Sequence, residues 1–412
     1  MNRRKFLVGC GAGIALSSLS GLQSFAYLPD NPEKQNEDKD IVVIIFLRGG
    51  CDALNLVGPV GDRFYADARG KGMRVDENGL DLKNGLDGFD FKLHPRAKAL
   101  KEIYDSGQMG IIHACGLPNG TRSHFDAMSM IERGIIKKQG GHEGWLARYL
   151  RYNEPNGQLP AVACGNSLPD SFLGSNIAAS INKLKEFNLH TDPRIFGILR
   201  NLYKGDTPLD SVAQTTLRTI KAIDKKLPKK SNGRVEDYHP EADYPMDWSI
   251  RGFSESLQTL AQLIKMDMGV HVANVDFGGW DTHDGQPYIF PRLVEGLSKA
   301  VAAFYNDLHS YHKRLTVVVM SEFGRRLKSN KSNGTDHGHG GVAMVLGGNV
   351  KGGKMYGSWP GLATDQLDNG VDLKVTTDYR TILSEVLQQR LNAQDLDKIF
   401  PGFDDYKPLG FV

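Results

Sequence analysis

Between Leu315 and Val345 the chain sets two carboxylates and two imidazoles among glycines: Glu322 lies in SEFGRR, and Asp336, His337 and His339 in TDHGHGG. Carboxylate with imidazole suits a borderline divalent cation such as zinc, and the glycines allow the backbone to fold closely round it. The competing reading pairs Glu322 with Arg325 or Arg326 and leaves the histidines on a turn. A second group is Asp281 and His283 in GGWDTHDG. Two apart in an extended loop, they can point the same way and share one ion. Asp52 in RGGCDALN offers a further carboxylate, although aspartate also caps short helices well. In TRSHFDAM, Ser123 stands where a helix begins. A hydroxyl there faces unpaired backbone donors that favour an alkoxide or an anion. It reads as a nucleophile or as a plain N-cap, with Arg122 beside it as an anion clamp and His124 as a further ligand or proton donor.

Strands must carry most of these groups. Ile41–Leu47 and Thr316–Met320 are unbroken apolar, β-branched runs of the kind buried on both faces of a parallel sheet. Asp52 and Glu322 follow them directly, and Asp281 and His283 follow a third run, Val270–Val275. In open α/β sheets ligands bind outside the carboxyl ends of the strands, which is where these groups fall. Further strands are expected at Met109–His113, Pro160–Cys164 and Val342–Leu346. Helices are expected at His94–Tyr104, from about Ser123, at Gly144–Tyr152, Ser249–Met266, Pro291–His309 and, on the surface, Thr376–Leu391. Between Asn166 and Tyr244 strand signal is weak, and an amphipathic stretch at Leu209–Ile223 suggests a largely helical insertion. The expectation is an α/β protein with a mostly parallel central sheet flanked by helices, over 40–412, with that insertion at about 166–244.

The 412 residues are 40% hydrophobic and 24% charged, which is enough for a large core. A net charge of +2 gives no global field towards nucleic acid or an anionic membrane. Beyond Cys10, the cysteines Cys51, Cys115 and Cys164 are odd in number and show no CxxC spacing, so no disulfide framework is expected. Residues 1–26 read as an export leader resembling the twin-arginine type: Arg3-Arg4-Lys5 precede a modest apolar stretch, Leu7–Leu19, and Ser24-Phe25-Ala26 offers a cleavage site. A polar linker follows over 27–39. The expected partners therefore include the twin-arginine export machinery, with the mature chain in the periplasm or secreted and no stable membrane insertion after cleavage.

The order RGGCDALN, TRSHFDAM, GGWDTH, SEFGRR and TDHGHGG resembles an uncharacterised family of twin-arginine-exported bacterial proteins, a domain of unknown function related to the alkaline phosphatase and sulfatase superfamily. The resemblance implies an alkaline-phosphatase-like fold with one or two divalent metals, zinc first, manganese or calcium as alternatives. Asp52 then matches the first-strand acid, Ser123 the nucleophile, Asp281 and His283 the middle pair, Glu322 the later acid, and His337 or His339 the last histidine. Arg48 or Arg122 would hold the oxyanion, as the planar guanidinium fork suits such oxygens. The implied activity is hydrolysis of small-molecule or polymer-attached phosphate or sulfate esters. The chain departs from the pattern in the close spacing of Asp281 and His283, in Glu322-Phe323 standing where an Asp-His is usual, and in lacking C-x-P-S-R. An exported metal-binding protein without turnover, acting as a binding or assembly partner, is the alternative.

Overall fold

The computed structural model describes residues 39–137, 142–153, 155, 157–187 and 193–412. The leader expected over 1–26 and, apart from Lys39, the linker over 27–39 lie outside them. Twelve strands follow in chain order: β1 (Ile41–Leu47), β2 (Val57–Gly58), β3 (Leu80–Leu86), β4 (Phe89–Leu93), β5 (Met109–Gly116), β6 (Ala161–Cys164), β7 (Ala178–Ser180), β8 (Val272–Phe277), β9 (Leu315–Ser321), β10 (Gly341–Gly347), β11 (Met355–Tyr356) and β12 (Thr377–Asp378). Nine form the central sheet in the order β11-β5-β10-β9-β1-β8-β6-β7, with β12 also on β5. All its pairings are parallel except those of β10, which runs antiparallel to β9 and β5. A mostly parallel sheet between helices is the class expected.

Because successive side chains of a strand face opposite ways, β1 splits its apolar run between two cores. Val43, Ile45 and Leu47 join one core with the helices Lys98–Asp105, Arg251–Lys265 and Gln286–Asp307. Val42, Ile44 and Phe46 join the other, with His124–Glu132, Trp145–Asn153 and Tyr379–Leu391. The molecule is thus three layers deep, and every residue of β1 is buried. A small antiparallel sheet, β2-β4-β3, escaped the sequence reading, since its strands alternate weakly and are half exposed.

Two further differences have plain causes. Residues 166–244 include the helix Pro208–Lys226 but also donate β7 to the edge of the central sheet. The helix Tyr379–Leu391, expected at the surface, is mostly buried. Its polar positions are matched inside: Glu385, 1% exposed, accepts backbone N–H groups of Leu409, Gly410, Phe411 and Val412 at 2.5–3.2 Å, which fastens the C-terminal segment to the fold. Cys51, Cys115 and Cys164 are buried and free.

The antiparallel sense of β10 has a direct bearing on the site. Residues following β1, β8, β9 and β5 emerge at the carboxyl edge, and residues preceding β10 meet them there.

Candidate metal centre

The loop after β9 and the loop before β10 run alongside each other. Gly324 N–H donates to His339 O at 3.0 Å, Gly338 N–H to Gly324 O at 2.9 Å and Arg326 N–H to Asp336 O at 3.0 Å. A side chain at Gly338 would place its Cβ 2.4 Å from the backbone of Arg325, so the loops can approach this closely only without one. At Gly49, in the turn after β1, φ is +118° and a Cβ would lie 2.5 Å from Asp281 N, which holds the turns after β1 and β8 together for the same reason. After β8, Thr282 points inward, 1% exposed, with its hydroxyl on Gln286 Oε1 at 3.0 Å. Asp281 and His283 on either side of it therefore share the outer face, with His283 Nε2 3.0 Å from Asp281 Oδ1.

Three histidines converge on that oxygen. His337 Nε2 lies 3.2 Å from Asp281 Oδ1, His124 Nε2 3.3 Å from it, and the His283 and His337 Nε2 atoms are 2.7 Å apart. His124, Asp281 and His337 place one ligand atom each within 4.8 Å of one another. On every ring the other nitrogen faces an acceptor. His124 Nδ1 meets Glu322 Oε1 at 2.8 Å, His283 Nδ1 meets Asp336 Oδ1 at 3.3 Å, and His337 Nδ1 meets the Arg122 carbonyl at 2.7 Å. These acceptors assign the ring proton to Nδ1 and turn the Nε2 lone pairs inward, the arrangement that metal-ligating histidines adopt. Lone pairs aimed at a carboxylate oxygen repel it unless a cation lies among them. His124 Nε2 is the plainest case, a buried nitrogen with no hydrogen-bond partner among the described residues. The donor set of imidazoles and one carboxylate fits a divalent ion.

The charge around the cluster is held by Arg325. Its guanidinium, 1% exposed, donates to Asp281 Oδ1 at 2.5 Å and to the carbonyls of Gly50 and Thr335. Burial raises the Asp281 carboxyl, but the Arg325 guanidinium beside it overrides this and holds the group down to about 2. The hydrogen bond from Glu322 raises His124, against its burial. Glu322 is also pushed up by burial yet ends below the usual carboxylate range, because His124, Gly49 N–H and the Ser321 hydroxyl all donate to it.

The other sequence candidates stand apart from these four side chains. Glu322, fully buried, grips His124 from behind and pairs with neither Arg325 nor Arg326. Asp52 is also fully buried, accepting from Arg69 and Gln286 at 2.6 Å each and capping the turn Ala53–Leu56. His339 is walled off by Asp368 Oδ2 at 2.9 Å and the Leu117 carbonyl at 2.8 Å. Ser123 caps the helix His124–Glu132, its hydroxyl accepting from Asp126 N–H at 3.4 Å. Arg48 pairs with Glu132 and Asp276, and Arg122 with Asp372 and Asp368. The sequence marks His124 as a further ligand or proton donor, whereas no spacing in it marks Arg325 as the partner of Asp281. His124 had one usable signal, its place at the start of a helix that follows a strand end.

Fold and cluster together define a three-layer α/β protein with a His/Asp candidate metal centre at the carboxyl edge of its sheet. Residues 210–398 match the model of a family described as "Protein of unknown function (DUF1501)", in accord with the resemblance to an uncharacterised family. The match includes Asp281, His283 and His337 and stops short of His124. No curated protein matches the chain. Among solved structures, the PsFucS1 sulfatase from Pseudoalteromonas sp. is similar over 95% of this chain and 74% of its own, at 10% identity and a TM-score of 0.39. The phosphonate monoester hydrolase SpPMH from Silicibacter pomeroyi aligns over 90% and 76%, at 11% identity and a TM-score of 0.37. A protein in the alkaline phosphatase superfamily from Vibrio parahaemolyticus aligns over 84% and 69%, at 11% identity and a TM-score of 0.35. No helix of the described residues is long and apolar enough to cross a membrane.

Proposed function

We propose that this chain is an exported, metal-dependent hydrolase of phosphate or sulfate esters, with His124, Asp281, His283 and His337 as the ligands of one divalent ion, zinc before manganese or calcium. The observation that carries the reading is the convergence of three imidazole Nε2 atoms on Asp281 Oδ1, each ring fixed from behind by an acceptor. A divalent ion there would polarise an ester oxygen and make a hydroxyl or water more acidic. Around it, Glu322 and Asp336 orient two of the rings and raise their basicity, while the Arg122 carbonyl orients the third. Arg325 balances the Asp281 charge. Export through the twin-arginine pathway to the periplasm or beyond rests on the leader sequence. The first test is elemental analysis of protein purified without chelator, followed by hydrolysis assays with aryl phosphates and aryl sulfates. One bound divalent ion per chain is expected, with turnover abolished by chelation and restored by metal. Metal-free protein whose melting curve ignores added zinc, manganese and calcium would remove the proposal.

A specific observation favours the second reading, a metal-binding protein without turnover. The groups that would attack or clamp the ester are already engaged, Ser123 as an N-cap and Arg48 and Arg122 in carboxylate pairs. Ser123→Ala separates the possibilities. Loss of several orders of magnitude in hydrolysis at unchanged metal content identifies a nucleophile. A cost of about 1 kcal/mol in stability with the rate intact identifies a cap and moves the attack to water.

Glu322→Gln isolates the second sphere. Removing its charge is expected to weaken metal binding by about 10–100-fold with the fold retained. Competition against a chromophoric chelator measures this, and an unchanged affinity would show that His124 needs no carboxylate behind it.

A further inference from the structure

Beside the cluster runs a cleft of about 470 Å³ that the reading above leaves unused. Asp336 and Asn330 are among the residues that line it. Asn330 donates to Asp336 Oδ1 at 3.0 Å and to the His283 carbonyl at 2.9 Å, so the cleft lies one side chain away from a proposed ligand. Phe64, Leu327, Leu362, Leu367 and Val371 supply an apolar lining. Arg326 and Lys328 stand at the cleft and are exposed. The shortest contact of the Arg326 guanidinium with a carboxylate is 3.9 Å, to Asp372, and Lys328 makes no ion pair among the described residues. One acidic residue besides Asp336 lines the cleft, Asp67, and it is exposed.

The wall of this cleft is built rather than incidental. Arg69, 1% exposed and paired with Asp52, donates to the carbonyls of Arg326 and Leu327 at 2.8 Å each. That contact fixes the backbone from which both exposed cations project. Small-molecule sites are concave and a few hundred Å³ in volume, with apolar surface and placed polar groups; this cleft has that size and combines an apolar side with polar and charged groups in about equal measure.

We infer that this cleft binds an organic anion with a flat apolar face, its carbon skeleton on the Phe64 and Leu362 side and its anionic group between Arg326 and Lys328. Resting on the hydrolase reading, the inference assigns the cleft to the leaving group, which makes the substrate an ester whose leaving group carries a second negative charge. Arginine and lysine at an exposed rim contribute through charge, so the preference weakens with salt.

The test uses a probe independent of turnover, naphthalene-2,6-disulfonate, which has an apolar ring face and an anion at each end. Its binding to the full chain is followed by calorimetry and by its own fluorescence. Stoichiometric binding is expected, weakened at least tenfold in R326E/K328E and retained in His337→Ala, which removes a proposed metal ligand and does not line the cleft. The milder pair Arg326→Gln and Lys328→Gln guards against misfolding of the charge reversal and should weaken binding in the same direction. No binding to the wild-type chain, or binding indifferent to both sets of changes, overturns the assignment. A protein that binds the probe through Arg326 and Lys328 but hydrolyses no ester would keep the cleft and lose the hydrolase reading.

Discussion

His337→Ala should abolish stoichiometric metal binding, with a loss well beyond the roughly 10–100-fold that a second-sphere change costs. The His337 ring contacts both other imidazoles, with centroids 4.2 Å from His124 and 4.5 Å from His283, and its Nε2 lies 3.2 Å from Asp281 Oδ1, so its removal opens the cluster at its middle. Asp281→Asn should have a similar effect while leaving Arg325 without its carboxylate partner. Since ligands drawn from three separate segments meet only in the fold, metal should raise the melting temperature of the wild-type chain and leave that of His337→Ala unmoved. The effect has a definite pH dependence. Protons compete with metal for imidazole Nε2, and affinity therefore falls as pH drops through the imidazole range. The Glu322 hydrogen bond raises His124, whereas burial lowers His337. Competition therefore begins at His124, above the ordinary histidine value of about 6.5. A metal affinity independent of pH between 5 and 8, about the range in which histidine titrates, would exclude a histidine-based site.

The second large effect concerns stability. Asp52 and Arg69 are both buried and ion-paired at 2.6 Å, with Gln286 completing the shell of Asp52. Removing one partner of such a pair strands a charge in the core, a loss of about 3–5 kcal/mol. Asp52→Ala and Arg69→Met are each expected to lower the urea midpoint accordingly, and any folded fraction of either should keep its metal. Replacing both partners together with apolar residues should cost less than the sum, because no charge is left unpaired. If Asp52→Ala instead folds with little loss of stability and fails to hold metal, Asp52 acts as a ligand in a state different from this one.

The sequence by itself determined the sheet and its functional edge. The run Ile41–Leu47 has no polar position, so it had to lie buried on both faces, and the acids and histidines following such runs had to gather at one end. The D-x-H spacing of Asp281 and His283 was likewise enough to set both on one side of an extended loop. What the sequence left open was which of these groups would face the candidate metal centre and which would hold the residues that do. Glu322 and Asp52 follow strands in the same way as any ligand would, yet one is turned to His124 and the other to Arg69 by groups 198 and 17 residues away. His337 and His339 share a motif and a period, but the Leu117 carbonyl and Asp368, brought in from two other loops, take the second one. Whether a carboxylate or an imidazole faces an ion or a neighbour depends on which hydrogen-bond partner folding places beside it, and those partners come from segments that only the tertiary structure brings together.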